Sequence, residues 1–201
     1  MDYSRIKIKP LSNQQILEAA DMVRLKFWGD KIPVDVEYIL EFKLKISIIP
    51  SPGLNTQLSF DSFISSDWNN VYVDNANYND DRYYCRIRFS LAHELGHLFL
   101  HKELFESLEI KSFEDYQKFY KEVPNDQYNF LESQANKFAG YLLIPCEIMK
   151  QYRDKLLAEA RKKLIGMKFE NTDVDLLSYI AGKMANIFNV SAQAMEIALK
   201  N

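Results

Sequence analysis

Apolar positions along the first half of the chain switch period twice. From Ser12 to Trp28, Ile16, Ala19, Ala20, Val23 and Phe27 recur at helical spacing behind Ser12, an N-cap residue type, and Gly29 follows as a stop. A second helix is predicted to open at Pro33, with Val36, Ile39, Leu40 and Leu44 on one face. Lys45 to Ile49 is short, rich in β-branched residues and closed by Pro50, Pro52 and Gly53, the pattern of a strand. Leu58 to Ile64 and Val71 to Asp74 predict two more strands, joined as a hairpin through the turn-like Asp67 to Asn70. After the Asn and Asp cluster that ends at Asp81, every periodic segment is helical. Helices are predicted from between Asp81 and Phe89 to His101, then over 128–144, 147–163, 174–188 and 191–199.

The stretch from Glu103 to Asp126 breaks this regularity. It is polar, offers only a short helix around Phe113 to Tyr120, and is expected to be an insertion or mobile loop. Otherwise the chain is expected to be one domain over residues 1–201, in which 147–201 forms a helical C-terminal subdomain. With 201 residues, 47% hydrophobic and 13% aromatic, it has material for a sizeable core and is not a disordered chain. A net charge of −3 gives no overall footprint for nucleic acid, and no apolar run is long enough to span a bilayer. Cys85 and Cys146 lack C-x-x-C spacing and are too few for a disulfide framework, so they are expected to be packed thiols of a soluble cytoplasmic protein.

The chain has three histidines, His93, His97 and His101, and the first two frame His93-Glu94-Leu95-Gly96-His97. This is H-E-x-x-H on a helix. Positions four apart lie one above the other, so both imidazoles can turn a nitrogen to one Zn²⁺, and Glu94, rotated by about 100°, falls beside the metal without being a ligand. Phe89, Ala92, Leu95, Phe99 and Leu100 make the helix apolar nearly all round, and buried histidines beside a buried carboxylate need a metal or a full set of hydrogen bonds. His101 lies about 12 Å from His93 along a continuous helix, too far to share the ion, and is expected behind the ligands or on the surface. The longer metzincin pattern is absent, since position 100 is Leu and no histidine follows His101.

A third ligand must then be a carboxylate or something weaker. Glu132 stands out because it sits on an apolar helix with Asn136 one turn later, where Asn136 could accept the Nδ1–H of a ligand histidine. Glu103, Glu106 and Glu109 are nearer in sequence, within the polar stretch. Spacing alone leaves this choice open.

Two blocks of the chain decide it by likeness: Arg88-Phe89-Ser90-Leu91-Ala92-His93-Glu94-Leu95-Gly96-His97, and Glu132-Ser133-Gln134-Ala135-Asn136-Lys137-Phe138-Ala139 continuing to Leu142-Leu143-Ile144-Pro145. In this order they resemble the ImmA/IrrE family of zinc metallo-endopeptidases. Weaker agreement includes Ile32-Pro33-Val34-Asp35 and Ile187-Phe188-Asn189-Val190-Ser191. The resemblance implies an α+β, zincin-like fold of gluzincin type, with a small three-stranded sheet packed on a mainly helical body and the H-E-x-x-H helix central. It also implies one Zn²⁺ held by His93, His97 and Glu132, with Glu94 as the catalytic carboxylate. Two features depart from the family: the 35 residues from His97 to Glu132 are more than usual, and Ala194-Met195-Glu196-Ile197 stands where an Arg-Leu pair is usual. The length leaves no room for the helix-turn-helix or sensor domain that some members carry, so a bare protease domain is expected.

The function that follows is zinc-dependent hydrolysis of a peptide bond in a protein substrate, which the resemblance makes a helix-turn-helix repressor or an antitoxin-like regulator. Tyr128 and Tyr141 are the candidates for stabilising the oxyanion, and Val71 to Asp74 is the candidate strand edge for an extended substrate. Residues 103–132 carry eight acidic groups against three lysines, a rim that would attract a basic protein surface. The alternative is a zinc-containing interaction module that binds such a regulator without cutting it, although a merely structural site has no need of Glu94. A DNA-reading helix-turn-helix over Leu176 to Leu199 is disfavoured, because only Lys183 lies within it as a base and Lys200 just beyond, against Asp175 and Glu196.

Overall fold

A computed structural model describes residues 3–58, 60–108, 113–165 and 173–200. The chain opens with α1 (Asn13–Phe27), started by a capping box in which the Ser12 hydroxyl accepts the Gln15 N–H and the Gln15 side chain accepts the Ser12 N–H. Helix α2 (Val36–Tyr38) runs on as a π-helical turn, Ile39–Leu44. It starts at Val36 rather than Pro33, because Asp35 provides the N-cap and accepts the Tyr38 N–H.

The sheet has strands β1 (Ser47–Ser51), β2 (Ser62–Ile64) and β3 (Asn70–Asp74), with α3 (Leu54–Leu58) between the first two. β1 starts two residues later than the hydrophobic pattern suggests, since Lys45 ends the preceding helix in a left-handed conformation, φ 61°. It keeps Pro50 because it is an edge strand. The strand order is β1-β3-β2, with β1 parallel and β2 antiparallel to β3. The β2–β3 hairpin turns through Asp67, whose carboxylate accepts from Ser65 Oγ and from the Asn69 N–H. β3 is therefore central, with both of its edges already paired. The expectation that Val71 to Asp74 offers a free edge to a substrate is corrected: among the described residues, the outer strands of the sheet are β1 and β2.

Everything after β3 is helical among the described residues: α4 (Asn75–Tyr78), a 3₁₀ turn at Asp81–Tyr83, α5 (Tyr84–Gly96), a π-helical turn at His97–His101, α6 (Lys102–Ser107), α7 (Phe113–Glu122), α8 (Asn125–Leu143), α9 (Cys146–Ile165), α10 (Asp173–Phe188) and α11 (Ala192–Lys200). The fold is α+β, as expected. None of these helices is long and apolar enough to cross a membrane.

The main core joins Ile16, Ala20 and Val23 of α1, Val71 and Val73 of β3, Leu91 and Leu95 of α5, and Phe138, Leu142 and Leu143 of α8. Met149, Ile180, Met184, Phe188 and Met195 belong to the same cluster, so α9 to α11 share this core. A second cluster unites Tyr3, Ile8, Trp68, Phe105, Phe119, Val123 and Leu131. Within 103–126, α7 covers the short helix expected around Phe113 to Tyr120, α6 is a further helix before it, and Phe105 and Phe119 are buried apolar anchors within a polar stretch.

Candidate metal centre

Helices α5 and α8 cross closely, and the contact is set by glycine. A Cβ on Gly96 would lie 3.0 Å from Ala135 Cα and 3.1 Å from its carbonyl oxygen, so only Gly admits this approach. The crossing brings the histidines of α5 and its π-helical extension up against Glu132 of α8. His93 Nε2 lies 3.2 Å from Glu132 Oε2, His97 Nε2 lies 3.5 Å from Glu132 Oε1, and the two imidazole Nε2 atoms are 2.9 Å apart. One ligand atom from each of the three residues falls within 4.8 Å of the others. Glu103 and Glu106 are not part of this group, and Glu109 lies outside the described residues.

These residues suit a divalent cation. Glu132 Oε1 is buried and has no hydrogen-bond partner, a position that is costly for a carboxylate oxygen unless a cation faces it. Two imidazole nitrogens and one carboxylate form the donor set that zinc takes when a further position is kept open. The electrostatics agree. Burial works against a charged His93 ring, but the hydrogen bond to Glu132 and the charges of Glu94 and Glu132 outweigh it and hold the group at about 9, so the site favours positive charge. His97 is pushed well below the ordinary histidine value by burial and by its two histidine neighbours. His101 is held at about 4, chiefly by burial, with its hydrogen bond to Gln134 opposing. Both rings are neutral at neutral pH.

The surroundings of the three residues are built from both helices and from the sheet. Asn136 Oδ1 lies 3.0 Å from His93 Nδ1, in the place that the i, i+4 spacing from Glu132 suggests. Glu94 is buried and held at both oxygens by β2: Ser62 Oγ donates to Oε1 at 2.8 Å and the Ile64 N–H to Oε2 at 2.9 Å. Burial raises its pKa, and His93 and these hydrogen bonds pull the other way. The hairpin strand thus abuts the carboxylate of the H-E-x-x-H helix, a contact no local pattern reveals because Ser62 and Glu94 are 32 residues apart. His101 is not on the surface. It is buried, with Nδ1 3.2 Å from His97 Nδ1 and Nε2 3.2 Å from Gln134 Oε1.

The two tyrosines separate. Tyr128 precedes Glu132 by one turn on the same face of α8 and packs edge-on against Tyr120, with ring centroids 4.9 Å apart. Tyr141 follows Glu132 by nine residues, about half a revolution away, and packs against the main core. That direction is wrong for an oxyanion beside Glu132, so the expectation for Tyr141 is corrected.

A three-stranded mixed sheet against a helical body, with H-E-x-x-H on a buried helix and a carboxylate delivered by a second, defines an α+β domain of the zincin type. The profile of the Peptidase M78 family, described as the IrrE N-terminal-like domain, matches residues 44–200, and the chain belongs to that family. No curated protein matches the chain. Among solved structures, a Mycobacterium tuberculosis transcriptional regulator is similar with a TM-score of 0.54 and 14% identity, over 90% of this chain and 44% of that one. The chain spans less than half the length of that protein, and at this identity the likeness is one of fold.

Proposed function

We propose that the chain is a zinc-dependent endopeptidase that cuts a protein substrate, a helix-turn-helix transcriptional repressor or an antitoxin-like regulator. The observation that carries this reading is the convergence of His93, His97 and Glu132 within 4.8 Å, beside the buried carboxylate of Glu94. His93 and His97 through Nε2, and Glu132 through its carboxylate, are the residues that would hold the ion. Bound zinc supplies Lewis-acid polarisation of a carbonyl and makes a water acidic near neutrality. Glu94 takes the proton of the attacking water and returns it to the departing amine nitrogen, so the peptide C–N bond breaks as the water oxygen joins the carbonyl carbon. Ser62 and the Ile64 N–H hold the Glu94 carboxylate in one orientation for both transfers. Asn136 orients the His93 ring. Tyr128, on the Glu132 face of α8, is the remaining candidate for the oxyanion.

An extended peptide adding to the sheet would lie along β2, the edge strand that touches Glu94. The acidic balance of residues 103–132 supports a basic partner, such as the nucleic-acid-binding face of a repressor. The test is incubation of zinc-loaded protein with repressors encoded near its gene, beside Glu94→Gln. Cleavage by the wild type alone is the expected result. Tight binding of a repressor with no cleavage by either protein would favour the non-catalytic interaction module.

A further inference from the structure

Among the described residues, the third histidine of the chain takes no part in the candidate ligand group, yet it is 3% exposed and hydrogen-bonded at both ring nitrogens. Its contacts form a chain whose direction is fixed at one end. The Lys9 backbone carbonyl can only accept, so the Gln134 side chain 3.1 Å away donates to it from Nε2. That turns the Gln134 oxygen toward His101, and an amide oxygen carries no proton, so His101 Nε2 must donate. The neutral His101 ring then has a bare Nδ1, which accepts from the His97 Nδ1–H. His97 is left with its lone pair on Nε2, the atom that faces His93 and Glu132.

We propose that His101 and Gln134 are positioning residues of the metal centre, which lock the His97 imidazole in its Nδ1–H tautomer and suspend that lock from the Lys9 carbonyl of the amino-terminal segment. The proposal rests on the zinc reading above and extends it to the Lys9 carbonyl, which lies outside the matched family segment 44–200. The two ligand histidines are held differently. Asn136 reaches His93 directly from α8, whereas His97 is held through a second imidazole and an amide. The amino-terminal segment has its own anchorage to support this task. The Ile8 N–H donates to Gln127 Oε1 at 2.8 Å, and Tyr3 and Ile8 are buried in the second apolar cluster with Phe105 and Phe119. Partners that orient metal-binding histidines commonly contribute about 10- to 100-fold in metal affinity.

The experiment uses the full chain as wild type, His101→Phe and Gln134→Met, substitutions that keep much of the buried volume. With only three histidines in the sequence, the imidazole nitrogens can be assigned in long-range ¹H–¹⁵N spectra of metal-free protein. The wild type is expected to show His97 protonated at Nδ1 and bare at Nε2. Each variant should redistribute that proton and weaken zinc binding by about 10- to 100-fold in chelator competition, with the thermal midpoint of the metal-free protein tracking the fold separately. Should His101→Phe fail to fold, Gln134→Met breaks the same chain one link away. A wild-type His97 protonated at Nε2, or folded variants with unchanged tautomer and unchanged zinc affinity, would overturn the proposal. A wild type that binds no zinc would instead overturn the zinc reading, and the tautomer spectrum would still decide the relay.

Discussion

Gly96 meets Ala135 where α5 crosses α8, and the absence of a side chain at 96 lets the two helices approach to within 3.0 Å of where a Cβ would stand. The Gly of the H-E-L-G-H sequence is thus a packing residue, and the distance from His93 and His97 to Glu132 depends on it. Gly96→Val is expected to destabilise the metal-free protein by about 1–3 kcal/mol through overpacking, and to weaken zinc binding further because Glu132 is pushed away from the histidines. Thermal unfolding with and without zinc checks both. An unchanged midpoint would mean that the helices separate freely.

Arg88 carries no catalytic assignment, although it belongs to the block that carries the family likeness. Its guanidinium is buried and donates to the backbone carbonyls of Val34, Phe188 and Asn189, joining α5 to the segment before α2 and to the end of α10. Arg88→Met is expected to leave these carbonyls unpaired and to lower stability by about 1–3 kcal/mol, seen as a lower urea midpoint. A midpoint equal to that of the wild type would show that water satisfies those carbonyls.

Asp74 ends β3 and caps α4, and its carboxylate accepts the Asn55 and Asn77 N–H groups. The Asn55 hydrogen bond leads in holding its pKa below the ordinary aspartate value, with burial opposing. A depressed native pKa means that this contribution is complete above the unfolded value, about 3.9, and is lost as the pH falls through the lower native value. Asp74→Asn should therefore reduce stability at neutral pH and flatten its acid limb below about pH 4. Equal acid limbs for both proteins in denaturant titrations across that range would contradict the assignment.

What was legible in the sequence follows from the range of the interactions involved. The Ser12 capping box and the helices near 128–144 and 174–188 are local in origin, and they lie where periodicity places them to within a few residues. The pairing of β3 with both β1 and β2 depends on contacts across the sheet, so nothing local marks Val71 to Asp74 as the central strand. The polar stretch concealed α6, which a single buried phenylalanine, Phe105, anchors, whereas α7 lies where a short helix was expected. At the site, H-E-x-x-H spacing placed His93, His97 and Glu94 on one helix, while Glu132 needed the family likeness. Ser62, Gln134 and the Lys9 carbonyl reach the cluster only through tertiary contacts, and no spacing announces them.

Glu94→Gln separates chemistry from binding. Replacing the carboxylate by an amide keeps the shape and removes the proton acceptor, so zinc affinity should change little while kcat/KM falls by about 10²- to 10⁴-fold. Calorimetric zinc titration beside a cleavage assay checks the pair. Retained cleavage in the variant would remove Glu94 from the mechanism.

The most direct measurement is the zinc stoichiometry and affinity of the purified chain beside Glu132→Ala, since Glu132 is the proposed ligand from the second helix. We predict one zinc per wild-type chain and loss of stoichiometric binding in the variant, with the metal-free fold retained. Equal zinc content and affinity in the two proteins would contradict the assignment of Glu132, and with it the proposed three-residue centre.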